Sequence, residues 1–111
     1  MTKLATFTRT GISGKKYNFN VYSKDTEFNE IGAVYFITRR AKNVEGEFRH
    51  TPIYIGQTGD LSVRFDNHHR LDCFKRHNWN CICVHRDDNE SSRLKKESDL
   101  IDAYDPPCNR E

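Results

Sequence analysis

The chain has 111 residues, of which 35% are hydrophobic and 12% aromatic, enough for one small domain whose core is rich in rings. A membrane-spanning helix is excluded because no run of about 18 apolar residues occurs, and residues 1–10 lack the apolar segment of a signal peptide, so we expect a cytoplasmic protein. The net charge of +2 divides unevenly: residues 1–76 carry 13 Lys and Arg against 8 Asp and Glu, whereas residues 77–111 carry 5 against 8. This division suits a site where a polyanion meets a carboxylate that binds metal.

The N-terminal part predicts a β-hairpin. Residues 4–8 and 17–22 read as strands, with apolar and polar side chains alternating in the second strand and a glycine-containing turn between the two. We therefore divide the chain into a hairpin extension, residues 1–30, and a compact domain, residues 31–111.

Two further strands are predicted in the middle of the chain. Residues 33–38 (AVYFIT) form an apolar run of strand-like composition, and residues 51–56 (TPIYIG) follow a charged loop. Pro52 stands at the start of that second strand, where its missing N–H does least harm.

A helix is predicted directly after this strand, with Thr58 or Asp60 as its cap. At helical pitch, four of its side chains fall within an arc of about 100°. These side chains are Leu61, Arg64, Phe65 and His68.

The last third of the chain predicts two helices and a strand. A short helix covers residues 70–75, a strand covers residues 79–85, and a helix capped by Asn89 covers residues 91–104 until a Pro-Pro pair ends it.

Glu97 is unusual because the same face of that helix holds Leu94, Ile101 and Tyr104. A carboxylate on an apolar face is unfavourable unless it is paired or bound to a cation. Two interpretations follow: an ion pair with Arg64 or exposure to solvent, and ligation of a metal ion.

The four cysteines are expected to be thiols, since the chain shows no signal peptide. Cys73, His77, Cys81 and Cys83 offer the ligand types of a zinc site, but zinc sites usually contain CxxC spacing. Cys81 and Cys83 alternate with apolar residues, so strand packing is the favoured interpretation.

Seven residues spread over these predicted elements form a set whose order along the chain is informative. The residues are Tyr35, Tyr54, Gly56, Arg64, His68, Glu97 and Asn109. Their order resembles the GIY-YIG nuclease superfamily over about residues 32–109. YIGQTGDLSVRFDNH is close to the second motif of that family, and ESDLIDAYDPPCN is similar to its C-terminal end. The first motif departs, because Ala33 stands in place of its glycine and Gly32 lies one position upstream.

The resemblance implies a small standalone protein of the α/β (α+β) class. Its GIY-YIG-like domain would have a three-stranded central sheet flanked by helices, to which the hairpin of residues 1–30 is added. The hairpin would then be a lid, a dimer contact or a DNA-facing addition.

The resemblance also implies a divalent-metal-dependent DNA endonuclease that hydrolyses phosphodiester bonds. Glu97 would hold Mg²⁺ or Mn²⁺, and Arg64 would bind the non-bridging phosphate oxygens. Tyr54 would hydrogen-bond the phosphate or the attacking water, and Asn109 would position the C-terminal turn.

Two residues are candidates for the general base. The phenol of Tyr35 would need its pKa lowered by a metal ion and a neighbouring cation such as Arg39 or Arg40. The imidazole of His68 titrates near neutrality without such help. Both candidates stay open.

Basic residues outside the motifs would add sequence-independent contacts to DNA phosphates. We predict these contacts at Lys15, Lys16, Arg39, Arg40, Arg70, Lys75 and Arg76. Targeting would depend on DNA shape, a homodimer or a larger partner protein, and no membrane partner is expected. Two alternatives remain: a catalytically inactive GIY-YIG-fold module that binds nucleic acid for regulation, and a structural zinc domain.

Overall fold

Five strands and one long helix make up most of the computed structural model, which describes residues 2–110. The strands are β1 (Ala5–Thr10), β2 (Lys16–Ser23), β3 (Ala33–Lys42), β4 (Phe48–Thr58) and β5 (Cys81–Arg86). The helices are α1 (Leu71–Arg76), α2 (Glu90–Tyr104) and two single 3₁₀ turns, Leu61–Val63 and Pro107–Asn109. No helix within residues 2–110 has both the length and the apolar character needed to cross a membrane.

All five strands belong to one antiparallel sheet in the order β1-β2-β5-β3-β4. The predicted three-stranded sheet flanked by helices is therefore wrong: the fold is α+β and is dominated by this sheet. The predicted hairpin forms, but β2 also pairs with β5, with Val21 opposite Cys83. Phe19 and Val21 are almost completely buried, so the hairpin contributes to the core of the same sheet.

The two faces of the sheet bury different residues. Along β3, Tyr35 and Ile37 point to one face and Val34 and Phe36 to the other. We call these the Tyr35 face and the Phe36 face. On the Phe36 face, α2 contributes Leu100 to the core.

The predicted helix around Arg64 and His68 is also wrong. Asp60 does cap a turn, accepting the backbone N–H of Ser62 at 2.9 Å, but that turn is the 3₁₀ element Leu61–Val63 and it ends at once. The Asp-Asn-His sequence that follows favours backbone turns over helix. The segment between this turn and α1 folds as an irregular loop across the Tyr35 face.

The strand that carries the Tyr-Ile-Gly sequence is longer than predicted, and Pro52 lies inside it. The register between β3 and β4 shifts between Ile37 and Thr38, and Pro52 sits opposite Thr38 at that irregularity. Because β4 is an edge strand, the missing N–H of proline breaks no further ladder.

Arg93, rather than Leu94, takes an inward position on α2. Leu94 is 46% exposed, whereas Arg93 is 6% exposed. The guanidinium of Arg93 donates to the Gln57 side-chain oxygen at 3.0 Å and to the Asp87 carbonyl at 3.1 Å. A Cβ at Gly32 would lie 2.6 Å from that guanidinium, so glycine leaves the space that the buried arginine occupies.

Cys73 and Cys108 form a disulfide, which overturns the expectation of four thiols. They lie on the Tyr35 face, whereas Cys81 and Cys83 are unbridged and buried on the Phe36 face. The predicted zinc ligand set is therefore split across the sheet, and Cys81 and Cys83 have the strand positions that were expected.

Candidate functional site

The hydroxyl of Tyr35 is the centre of the candidate site. Nε–H of Arg64 donates to it at 3.0 Å, and Nε2 of His68 lies 2.8 Å from it. Tyr35 lies near the start of β3 and is fully buried, and His68 is 5% exposed. The irregular loop that replaces the predicted helix therefore places Arg64 and His68 against Tyr35.

The hydrogen bonds of His68 fix its tautomer. The backbone N–H of Arg70 donates to Nδ1 at 3.0 Å, so Nδ1 is an acceptor and the proton of a neutral imidazole lies on Nε2. Burial, aided by the charge of Arg64, lowers the pKa of His68 to about 3. At neutral pH the ring is neutral, and its Nε2–H donates to the Tyr35 oxygen. That oxygen thus accepts two hydrogen bonds.

Gly56 provides the space for this phenol. It lies opposite Tyr35 in the β3–β4 ladder. A Cβ at position 56 would lie 2.5 Å from the Tyr35 oxygen and 2.8 Å from Cε2 of Tyr54. The glycine of the Tyr-Ile-Gly sequence is therefore required by the close approach of two tyrosine rings to the strand backbone.

Aromatic rings surround the centre. The ring of Tyr54 lies 6.1 Å from that of Tyr35 and 5.2 Å from that of His68. Phe65 lies edge-on to Tyr35 at 5.0 Å, and Phe74 lies 4.8 Å from His68. This wall excludes water and strengthens the electrostatic interactions inside it.

Burial controls the protonation of the two tyrosines. It raises the pKa of Tyr35 well above the ordinary value, although the hydrogen bond and charge of Arg64 oppose the rise. It also raises the pKa of Tyr54. Burial alone would lower the pKa of Arg64, but the tyrosines and Glu97 around it raise that pKa, so the guanidinium stays charged.

Glu97 lies half-buried on α2, close enough for its charge to act on Arg64 and Tyr35. Burial raises its pKa, opposed by the charge of Arg64 and the backbone N–H of Gln57. Among the salt bridges of residues 2–110, none joins Glu97 to Arg64. The Glu97 carboxylate is therefore held by the Gln57 N–H and by the charge of Arg64 without a direct salt bridge.

Asn109 ties the C-terminal turn to β4. Its side-chain Nδ2–H donates to the carbonyl of Ile55 at 2.8 Å, and its Oδ1 accepts the N–H of Ile55 at 2.8 Å. These two hydrogen bonds satisfy the backbone N–H and carbonyl of Ile55, which lies between Tyr54 and Gly56 on the edge strand. Asn109 therefore has a positioning role at the site.

The predicted DNA contacts are spread over the molecule. Lys15 and Lys16 lie at the tip of the β1–β2 hairpin, whereas Arg39 and Arg40 lie at the far end of β3, close to where β5 begins. The guanidinium of Arg40 stacks on Phe48 at 3.7 Å. The remaining three, Arg70, Lys75 and Arg76, lie at the two ends of α1. Together they do not form one compact basic surface.

Sequence reasoning missed Arg93 and Gln57, which join α2 to β4 and thereby set the position of Glu97. The helical position of Arg93 was the only local signal. The burial of its side chain depends on the space that the distant Gly32 leaves for the guanidinium.

Comparisons with known proteins found no relative of this chain. No family model matches the chain, and no match was found among the curated proteins or the solved structures. The geometry around Tyr35 is therefore the basis for a functional proposal.

Proposed function

We propose that this chain is a divalent-metal-dependent DNA endonuclease whose site is centred on Tyr35. The supporting observation is the convergence of Arg64 and His68 on one phenol oxygen, at 3.0 and 2.8 Å, with Glu97 acting on the same groups. These residues come from separate parts of the chain, in the order that resembles the GIY-YIG superfamily.

Tyr35 is the proton-transfer group in this proposal. His68 uses one nitrogen to accept from the Arg70 backbone and the other to donate to the phenol, so it has no free lone pair for a base. The two donors at the Tyr35 oxygen favour its phenolate, but burial still holds the pKa of Tyr35 above the ordinary value, so proton removal by Tyr35 would need the added charge of a bound cation. His68 is then a positioning residue that holds the Tyr35 phenol in place.

Arg64 retains donors for a phosphate. Its Nε–H donates to Tyr35 and the same guanidinium also hydrogen-bonds Tyr54, so its remaining N–H groups would bind the non-bridging oxygens. Because the side chain is only half-buried, those groups can meet a substrate from solvent.

Glu97 fits a hard divalent cation. Mg²⁺ needs only one or two carboxylates because it keeps most of its waters, and a dication would offset the burial that raises the pKa of Glu97. A bound Mg²⁺ or Mn²⁺ would neutralise charge on the phosphate and on the leaving oxygen.

One observation favours a second function. Tyr35 is completely covered in this state, so substrate can reach the phenol only if the loop between residues 64 and 70 moves. If the loop stays closed, the chain is a nucleic-acid-binding or regulatory module without cleavage. A DNA partner, a homodimer or larger partner protein and a cytoplasmic location belong to the same proposal.

A cleavage screen over plasmid, branched and single-stranded DNA with Mg²⁺ and Mn²⁺ tests the proposal. We expect cleavage by the wild type and a loss of at least about 100-fold in Glu97→Gln, with DNA binding retained. Asp102→Asn, an exposed carboxylate on the same helix, is the control and should cut normally. Binding without cleavage by the wild type would select the second function, and no binding or cleavage would reject both.

A further inference from the structure

Three metal-ligating side chains meet at the edge of the Tyr35 face, away from Glu97. The donor atoms of Cys73, His77 and Cys108 all lie within 4.8 Å of one another, a combination found nowhere else in residues 2–110. Both cysteines are buried, and His77 lies nearer the surface. Buried sulfur and imidazole donors are the ligands that zinc prefers.

Contacts other than the disulfide also hold these ligands in place. Cys73 lies on α1 and His77 caps its C-terminus one turn later, with the His77 N–H donating to the Cys73 carbonyl at 3.2 Å. Cys108 lies in the turn Pro107–Asn109, which Asn109 anchors to Ile55 through two hydrogen bonds. Breaking the sulfur–sulfur bond therefore leaves all three side chains close together.

We infer that the reduced protein binds one zinc ion through Cys73, His77 and Cys108. Donors around a tetrahedral zinc lie about 3.3–3.8 Å apart, given Zn–S and Zn–N bonds of about 2.3 and 2.0 Å. The donor atoms lie within 4.8 Å of one another, and the two sulfurs, which are bonded to each other here, would move apart to this spacing once the disulfide is reduced. Because His77 lies nearer the surface than the cysteines, a water molecule would serve as the fourth ligand.

The disulfide and the zinc site exclude each other. A dithiol reductant supplies two electrons and two protons, the Cys73–Cys108 bond breaks to give two thiols, and the reductant becomes a disulfide. Zn²⁺ then displaces the two thiol protons, forming two Zn–S bonds, and accepts a lone pair from neutral His77. Cys73 and Cys108 would thus connect α1 and the C-terminal turn either by a disulfide bond or through a zinc ion.

Cys81 and Cys83 provide a control within the chain. They lie on the Phe36 face, on the other side of the sheet from the proposed ligands. Any thiol-dependent zinc binding that requires them comes from a different site.

The experiment adds Zn²⁺ to anaerobically reduced protein and measures retained metal after gel filtration, with Co²⁺ as a spectroscopic probe of thiolate ligation. We expect about one zinc per chain in reduced wild type and in Cys81→Ser/Cys83→Ser, and none in oxidised wild type. Cys73→Ser and Cys108→Ser should lose the metal and the thiolate–cobalt absorption. His77→Gln, which leaves both sulfurs in place, should weaken binding by at least about tenfold.

Several outcomes would overturn the inference. These are the absence of zinc from reduced wild type, equal zinc in the oxidised protein, and zinc retained by Cys73→Ser or Cys108→Ser. If reduction unfolds the wild type, recovery of its circular dichroism on adding zinc supports the site, and failure to recover it refutes the site. Cleavage of DNA is not a readout here, so the result stands apart from the proposed function.

Discussion

On the Phe36 face, rings pack on rings: Phe19 and Phe36 lie 5.1 Å apart at right angles, and Cys83 fills the space between strands. On the Tyr35 face, an equally buried tyrosine accepts hydrogen bonds from an arginine and a histidine. Ring packing dominates the first face, although it also buries Thr38, whose hydroxyl shares a hydrogen bond with His50. The second face buries polar groups that a core does not need, and such groups with shifted pKa values concentrate at functional sites.

The largest expected difference between the two faces concerns their buried tyrosines, Tyr35 and Tyr17. Tyr35→Phe removes the acceptor that Arg64 and His68 share and the proposed proton-transfer group, so we expect cleavage to fall by about 1,000-fold. Tyr17→Phe is the control: Tyr17 is 8% exposed, donates to Asp99 at 2.7 Å and lies on the Phe36 face. Its cleavage rate should stay within about twofold of wild type. Equal losses in both variants would place the site elsewhere.

The two pairs of cysteines should also respond differently. Reducing Cys73–Cys108 with zinc excluded by a chelator should lower the free energy of unfolding by about 4 kcal/mol, because the bond closes a loop of 35 residues. Denaturant unfolding of oxidised and reduced protein measures this. The variant Cys81→Ala/Cys83→Ala keeps the disulfide, so reduction should lower its free energy of unfolding by the same amount. If reduction leaves the stability of the wild type unchanged, the stabilising role of the bridge is contradicted.

Substitution of Gly56 should destabilise the Tyr35 face. Gly56→Ala places a Cβ 2.5 Å from the Tyr35 oxygen, and we expect a loss of up to about 3 kcal/mol of unfolding free energy. At Gly59 the nearest atom would be 3.5 Å away, which is ordinary contact, so Gly59→Ala should change stability by less than about 1 kcal/mol. Thermal unfolding of the two variants compares them, and equal stabilities would show that the phenol does not lie against the strand.

Acid should weaken the Tyr35 face through His68. Its folded-state pKa of about 3 lies below the ordinary 6.5, so between these values only the unfolded chain takes up the proton. The stabilisation is complete above pH 6.5 and is lost as the pH falls, at up to about 1.4 kcal/mol per pH unit. Between pH 7 and 5, wild type should therefore lose about 2 kcal/mol more than His68→Gln in denaturant unfolding. Parallel curves for the two proteins would refute the neutral, buried imidazole.

Local signals predicted part of this fold. Asn89 caps α2 by accepting the Ser92 N–H at 2.8 Å, and the hairpin, β5 and α1 lie close to their expected positions. Alternation of apolar residues identifies each strand but not its partner, so the pairing of β2 with β5 was missed and the sheet was predicted too small.

The errors have a common cause in contacts between distant parts of the chain. Helical periodicity around Arg64 reflects side chains that converge on Tyr35 from an irregular loop. Likewise, cysteine spacing cannot identify Cys108 as the partner of Cys73, because their pairing depends on the anchoring of the C-terminal turn. Motif order proposed the residues of the candidate site, and the hydrogen bonds of Arg64 and His68 to Tyr35 required the structure.

The arrangement at the phenol can be tested directly by ¹⁵N NMR of the His68 imidazole at neutral pH. A neutral ring protonated at Nε2, with Nδ1 accepting from Arg70, would show that two N–H groups converge on Tyr35. A proton on Nδ1, or a charged imidazolium, would leave the phenol without its second donor and would contradict the site described for this chain.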